Sequence, residues 1–153
     1  MFRAVNVKRI RLLATVMLSL LILNCTGAAE MSKKNRELSA TSWWVEDIAG
    51  KGVVDRSHTT IEFDGAGGVF GDSGCNRYFG TFTVNADEIS FGPLAGTRKA
   101  CAGALMDQET RFYRAMELST SWEVAETGLL YLRDENAVVV IRAVKTEPAA
   151  RPE

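Results

Sequence analysis

Apolar and polar positions alternate in short bursts between Trp43 and Val144. In Thr59-Thr60-Ile61-Glu62-Phe63 the apolar Ile61 and Phe63 share one face. In Tyr78 to Val84, Phe82 and Val84 fall in register with Gly80. This two-residue period is that of a half-buried strand. Val69–Gly71, Glu88–Phe91, Ser121–Val124 and Leu129–Leu132 predict further short strands. Turn formers separate them: Asp64 to Gly68, Asp72-Ser73-Gly74, Asn85-Ala86-Asp87, Glu126-Thr127-Gly128 and Asp134-Glu135-Asn136. Val138 to Ile141 is nearly all apolar, so Val138–Val144 predicts a central strand buried on both faces. Trp43-Trp44-Val45 predicts the first strand, with one tryptophan in the core and its neighbour at an edge or rim.

One helix is predicted, over Gly103–Leu118. Leu105, Phe112 and Met116 form its apolar stripe, with Gln108, Glu109 and Ala115 beside them and Tyr113 flanking. A buried carboxylate needs partners. Arg98 or a backbone donor near Cys101 is expected to serve Glu109, in a structural role rather than as a catalytic acid. The tally is eight short strands with the helix between the fifth and sixth. That is a mainly β, α+β fold: a small antiparallel barrel-like sheet with the helix covering one side.

The N-terminus has a different pattern. Arg3, Lys8, Arg9 and Arg11 precede the apolar run Leu12–Leu23. Basic-then-apolar is the order of a signal peptide, and the run is shorter than the roughly 20 residues of a membrane span. Cys25 follows in Ile22-Leu23-Asn24-Cys25, which is similar to the lipobox of bacterial lipoproteins, although Asn24 stands where Gly, Ala or Ser is usual. Ordinary cleavage after Ala28 or Ala29 is the rival, and it would leave a soluble periplasmic protein. The expected organisation is a lipoprotein-type leader over 1–24, a polar tether over 25–40, one domain over 41–145 and a loose tail over 146–153. Residues 1–24 hold four cations and no acid, so their loss takes the formal net charge from −1 to −5. An acidic domain lacks the Lys/Arg excess that nucleic-acid binding requires.

Two cysteines remain, Cys75 and Cys101. In an exported domain they are expected to pair, closing a loop of about 27 residues worth roughly 3.5 kcal/mol in the chain-entropy model. Asn76, Arg77, Thr97, Arg98 and Lys99 cluster around that clip in sequence. They are a candidate anion or partner patch, weighed against simple satisfaction of loop backbone by Asn76 and Thr97 with the cations solvated. Gly71-Asp72-Ser73-Gly74 has the form of a serine-protease nucleophile motif, but Cys75 follows where that motif has glycine and His58 is the only histidine. Zinc would find only Cys75, Cys101 and His58 as ligands, with no closely spaced cysteine pair. No metal and no cofactor is expected.

Several of these residues together resemble the META domain, or HslJ-like, family. They are Trp43, Gly71, Ser73-Gly74-Cys75-Asn76-Arg77-Tyr78, Gly80, Phe91-Gly92-Pro93-Leu94-Ala95, Thr97-Arg98, Cys101, Glu109, Phe112 and Leu129–Leu132. The resemblance spans about Ala40 to Val144. It implies a small barrel-like β fold with one helix, a bacterial envelope setting often as a lipoprotein, and an association with heat shock and novobiocin resistance. It implies no reaction. The function expected is therefore non-enzymatic: an outer-membrane lipoprotein facing the periplasm, monomeric and anchored through lipid at Cys25, with an envelope protein as partner. The alternative is a small-ligand module whose barrel pocket is lined by Trp43, Trp44, Tyr78, Phe82 and Trp122.

Overall fold

The computed structural model describes residues 38–146. Cys25, the leader, most of the tether and nearly all of the tail lie outside the described residues. Ten strands form one antiparallel sheet: β1 (Thr41–Ile48), β2 (Lys51–Gly52), β3 (Thr60–Phe63), β4 (Gly68–Asp72), β5 (Arg77–Asn85), β6 (Glu88–Phe91), β7 (Ala95–Gly96), β8 (Ser121–Val124), β9 (Leu129–Arg133) and β10 (Val139–Thr146). A single described helix, α1 (Gly103–Leu118), lies between β7 and β8. Pairing of β10 with β1 closes the sheet, and eight strands make the barrel in the order β1-β3-β4-β5-β6-β8-β9-β10. The helix thus follows the seventh strand rather than the fifth. The difference comes from β2 and β7, two-residue strands that are too short to show a periodicity.

Strand phase is set by alternation and reset by two bulges. Trp43 and Val45 of β1 are buried, Trp44 is half-buried and packs its ring against His58. Strict alternation would then bury Asp47. Instead the β1–β10 register slips between Val45 and Asp47, leaving Glu46 exposed and turning Ile48 into the core. The same device acts in β10, where the register against β9 slips between Val139 and Ile141. Val140 and Ile141 are consequently both buried. The apolar run here therefore reflects a bulge, and Val138 lies outside the strand, exposed, with its N–H donated to Asp134 Oδ1 at 2.9 Å.

The barrel interior is filled by side chains. Trp43, Tyr78, Phe63, Phe112, Trp122, Leu130, Leu132 and Ile141 are among the largest fully buried groups. α1 packs against β1, β6 and β10 and contributes Phe112, Ala115 and Met116 to this core. Leu38, which its polar surroundings place in the tether, is fully buried in the same core, so packing of the domain begins before Thr41. Four of the five aromatics considered as pocket lining are core residues: Trp43, Tyr78, Phe82 and Trp122. Burial of this much aromatic surface is the main stabilising term of the domain.

One contact fixes the β3–β4–β5 corner. The Tyr78 hydroxyl donates to Thr60 O at 2.9 Å, across Gly71, which is paired with Tyr78. Gly71 has φ +156, and a Cβ there would lie 2.3 Å from Thr60 O. Only glycine lets the three backbones meet so closely. Burial raises the Tyr78 pKa well above 10.0, reinforced by the negative potential of Tyr113, Glu62 and Asp72.

Two predictions follow from this corner. Gly71→Ala is expected to cost about 2–3 kcal/mol in chemical unfolding. Gly103→Ala, at the open first turn of α1, is expected to be neutral or stabilising by at most about 1 kcal/mol. Equal effects of the two substitutions would contradict the corner. Alkaline titration tests Tyr78 itself. Above about pH 10 the unfolded state loses the phenolic proton while the folded state keeps it, so stability should fall with rising pH by about 1.4 kcal/mol per unit. Tyr78→Phe should cost about 1 kcal/mol at neutral pH and remove this part of the slope. An unchanged slope in the variant would contradict the assignment.

Candidate functional site

The polar residues singled out in the sequence meet at one corner of the barrel. The turn Ser73–Asn76 leads into β5, the segment Thr97–Cys101 follows β7, and α1 lies over both. Cys75 and Cys101 are joined there, with sulfurs 2.10 Å and Cα atoms 6.0 Å apart. Gly74 has φ +98, and a Cβ on it would lie 2.4 Å from Gln108 Nε2, so the turn needs glycine to pass under the helix.

Asn76 is the hub, with only 5% of its surface exposed. Its Oδ1 accepts from Lys99 N at 2.7 Å and from Thr97 Oγ1 at 2.8 Å. Its Nδ2 donates to Glu109 Oε2 at 3.0 Å and Oε1 at 3.2 Å, with Lys99 O and Cys75 Sγ at 3.4 Å. Its backbone is held too: Asn76 N donates to Ser73 Oγ at 3.2 Å, and Ser73 Oγ donates to Asn76 O at 2.8 Å. One buried amide therefore ties the turn, the segment after β7 and the helix, with its hydrogen-bonding capacity filled.

Glu109 is half-buried, beside rather than within the apolar stripe of α1. Its hydrogen-bond donor is Asn76 Nδ2, in place of the expected Arg98 or a backbone donor near Cys101. Loss of water raises the Tyr113 pKa; hydrogen bonding to Ser73 opposes the rise, and the Glu109 carboxylate adds to it. Arg77, Arg98 and Lys99 are exposed at the margin. Asn76 thus joins Thr97 and Glu109, and the cations are left facing solvent. A shallow cleft of about 400 Å³ opens beside it, lined by Thr97, Arg98, Lys99, Met106, Glu109 and Tyr113 among others.

Gln108 is a residue that the sequence pattern placed beside the apolar stripe without assigning it a role. It is fully buried. Its Oε1 accepts from Val54 N at 2.5 Å, and its Nε2 donates to Thr59 Oγ1 at 2.9 Å and Ser57 Oγ at 3.1 Å. It fastens α1 to the segment before β3. The only available signal was an uncharged amide next to an apolar stripe, which demands buried partners without naming them.

The residues behind the rejected chemistries are also placed. Ser73 is fully buried and engaged with Asn76, while the His58 ring lies against Trp44 at 4.9 Å. Among the described residues no group of three or more His, Cys, Asp or Glu is arranged to hold a metal ion.

Comparisons with known proteins agree with this architecture. The chain is similar in fold to a protein from Burkholderia xenovorans solved by NMR, at 23% identity and TM-score 0.61, over 74% of this chain and 86% of that one. A second NMR structure matches at 21% identity and TM-score 0.58, over 71% of this chain and 92% of that one. A crystal structure of a DUF4847 family protein from Bacteroides vulgatus matches at 13% identity and TM-score 0.55, over 73% of this chain and 96% of that one. No curated protein matches the chain. The META domain family model matches residues 36–147, most of the chain and the whole closed barrel with its helix, and the chain therefore belongs to the META domain family.

Proposed function

We propose that the chain is a non-enzymatic domain of a bacterial envelope, held to the membrane by lipid at Cys25 and acting through protein contacts. Its setting would be envelope stress or tolerance of novobiocin-type antibiotics. The observation that carries the non-enzymatic part is the state of Glu109. Both of its carboxylate oxygens accept from the Asn76 amide, and Asn76 is in turn spent on the Thr97–Lys99 segment. Although Glu109 also borders the cleft, its carboxylate is engaged in holding elements together, which supports a structural role over acid–base chemistry. The Cys75–Cys101 bond fits an oxidising compartment, and the basic-then-apolar leader fits export to it.

Intact mass of the protein taken from its host envelope, followed by novobiocin susceptibility of a strain lacking it, tests this reading. The expected mass is residues 25–153 plus a diacylglyceryl or triacyl group, with no alkylation until reduction. The deletion strain should become more susceptible and be restored by the wild type and by Glu109→Gln, but not by Cys25→Ala. A mass beginning after Ala28 or Ala29 would remove the anchor. Unchanged susceptibility would remove the tolerance role. A folded Glu109→Gln protein that fails to restore would return Glu109 to acid–base chemistry.

A further inference from the structure

A depression of about 450 Å³ lies between α1 and the end of β6. Phe91, Gly92, Pro93, Leu94, Tyr113 and Glu117 line it. Among these side chains Glu117 alone is charged, and it is exposed. Apolar and aromatic walls with few polar groups, at this volume, are the character of a small-molecule site.

The core holds each apolar wall in place. The Phe91 ring stacks on buried Phe63, with centroids 6.3 Å apart. The Tyr113 ring meets Tyr78 and Phe112 edge-on, at 6.2 and 5.9 Å. Its hydroxyl fits against Gly96, where a Cβ would lie 2.6 Å from the oxygen. Leu94 sits over Gly80, where a Cβ would lie 2.5 Å from Leu94 Cδ2. Walls fixed in this way lose little freedom when a ligand arrives. One backbone acceptor is also open. Ile89 N donates to Thr120 O at 3.0 Å, and by strand alternation the Phe91 N–H and C=O face the same side. β8 pairs with β6 only at Glu88–Ser121, so no described strand lies opposite Phe91 there.

Charge selects the ligand. Phe91 and Glu117 also line a neighbouring depression of about 410 Å³, and its other charged side chain is Glu88. The cations Arg98 and Lys99 belong to the cleft on the far side of Tyr113. We propose that the depression at Phe91–Leu94 binds a small organic cation with a flat apolar body, an arylalkyl ammonium. Its apolar body lies between Phe91 and Tyr113 and its ammonium at Glu117, with Glu88 beyond. An ammonium has three donors and no acceptor. The Glu117 carboxylate and the Phe91 carbonyl are acceptors, and aromatic faces attract a cation further. An anion of the same shape would meet two carboxylates at that end. This site stands apart from the polar cluster and does not depend on the protein-contact reading above.

The test titrates the full, ¹⁵N-labelled chain in dodecyl maltoside at neutral pH with three compounds: phenethylammonium, ethylammonium and 3-phenylpropionate. Phenethylammonium is expected to shift the Phe91, Leu94 and Tyr113 amide resonances along one saturable curve, with a Kd on the order of 1 mM. Ethylammonium lacks the ring and 3-phenylpropionate reverses the charge. Each is expected to bind about tenfold more weakly. Glu117→Gln, at an exposed position, should remove most of the difference between the two ring compounds while leaving their partition into micelles unchanged. Equal affinity of the cation and the anion, a difference that survives Glu117→Gln, or no saturable shift at Phe91 by about 20 mM would overturn the proposal. Binding of ethylammonium as tight as that of phenethylammonium would overturn the apolar part of the site. Lipidation and antibiotic tolerance are read from the host cell, so this site and the envelope reading fail separately.

Discussion

A buried amide must find four hydrogen-bonding partners or destabilise the fold, and at Asn76 it finds them on two other segments, Thr97–Lys99 and α1. The Lys99 backbone is 23 residues away and the Glu109 carboxylate is 33. Hydrogen bonds to charged groups are worth about 1.5–3 kcal/mol each, and a half-buried carboxylate left without its donor would cost a comparable amount. The Cys75–Cys101 bond, one residue away in sequence, holds the same segments covalently. Gln108 repeats the arrangement one position along the helix, toward Val54, Ser57 and Thr59. Together the two amides seat α1 on the barrel; its apolar stripe then fills the core with Phe112 and Met116.

Seating the helix also shapes the surface. Because α1 follows β7 and returns to β8, β6 and β8 meet only near Glu88 and Ser121. Beyond Ile89, whose N–H donates to Thr120 O, β6 runs on beside the helix. A polar cluster that serves stability thus has open depressions next to it, with Tyr113 lining two of them. Inside the barrel, Trp43, Tyr78 and Trp122 occupy the space.

Local patterning carried most of the architecture. The eight barrel strands and the helix were legible because alternation, turn residues and the Phe112–Met116 stripe depend on neighbours a few residues apart. The bulges at Glu46 and Val140 were not, since a bulge appears in sequence only as an irregularity that a buried two-sided strand also produces. Leu38 was hidden among polar neighbours. At the site, cysteine counting pointed to the Cys75–Cys101 pair, and Glu109 was visible as a carboxylate needing partners. Its choice of Asn76 over Arg98 depends on how the helix crosses the turn, which no local pattern encodes. Gln108 was left without a role for the same reason.

The central claim is that Asn76 and Glu109 act as one structural unit. A double-mutant cycle of Asn76→Ala and Glu109→Ala, read by chemical unfolding with the disulfide intact, tests it most directly. A coupling energy of about 1–3 kcal/mol is predicted. Additivity within about 0.5 kcal/mol would show that the two residues act independently, and the account of how the helix is held would fail.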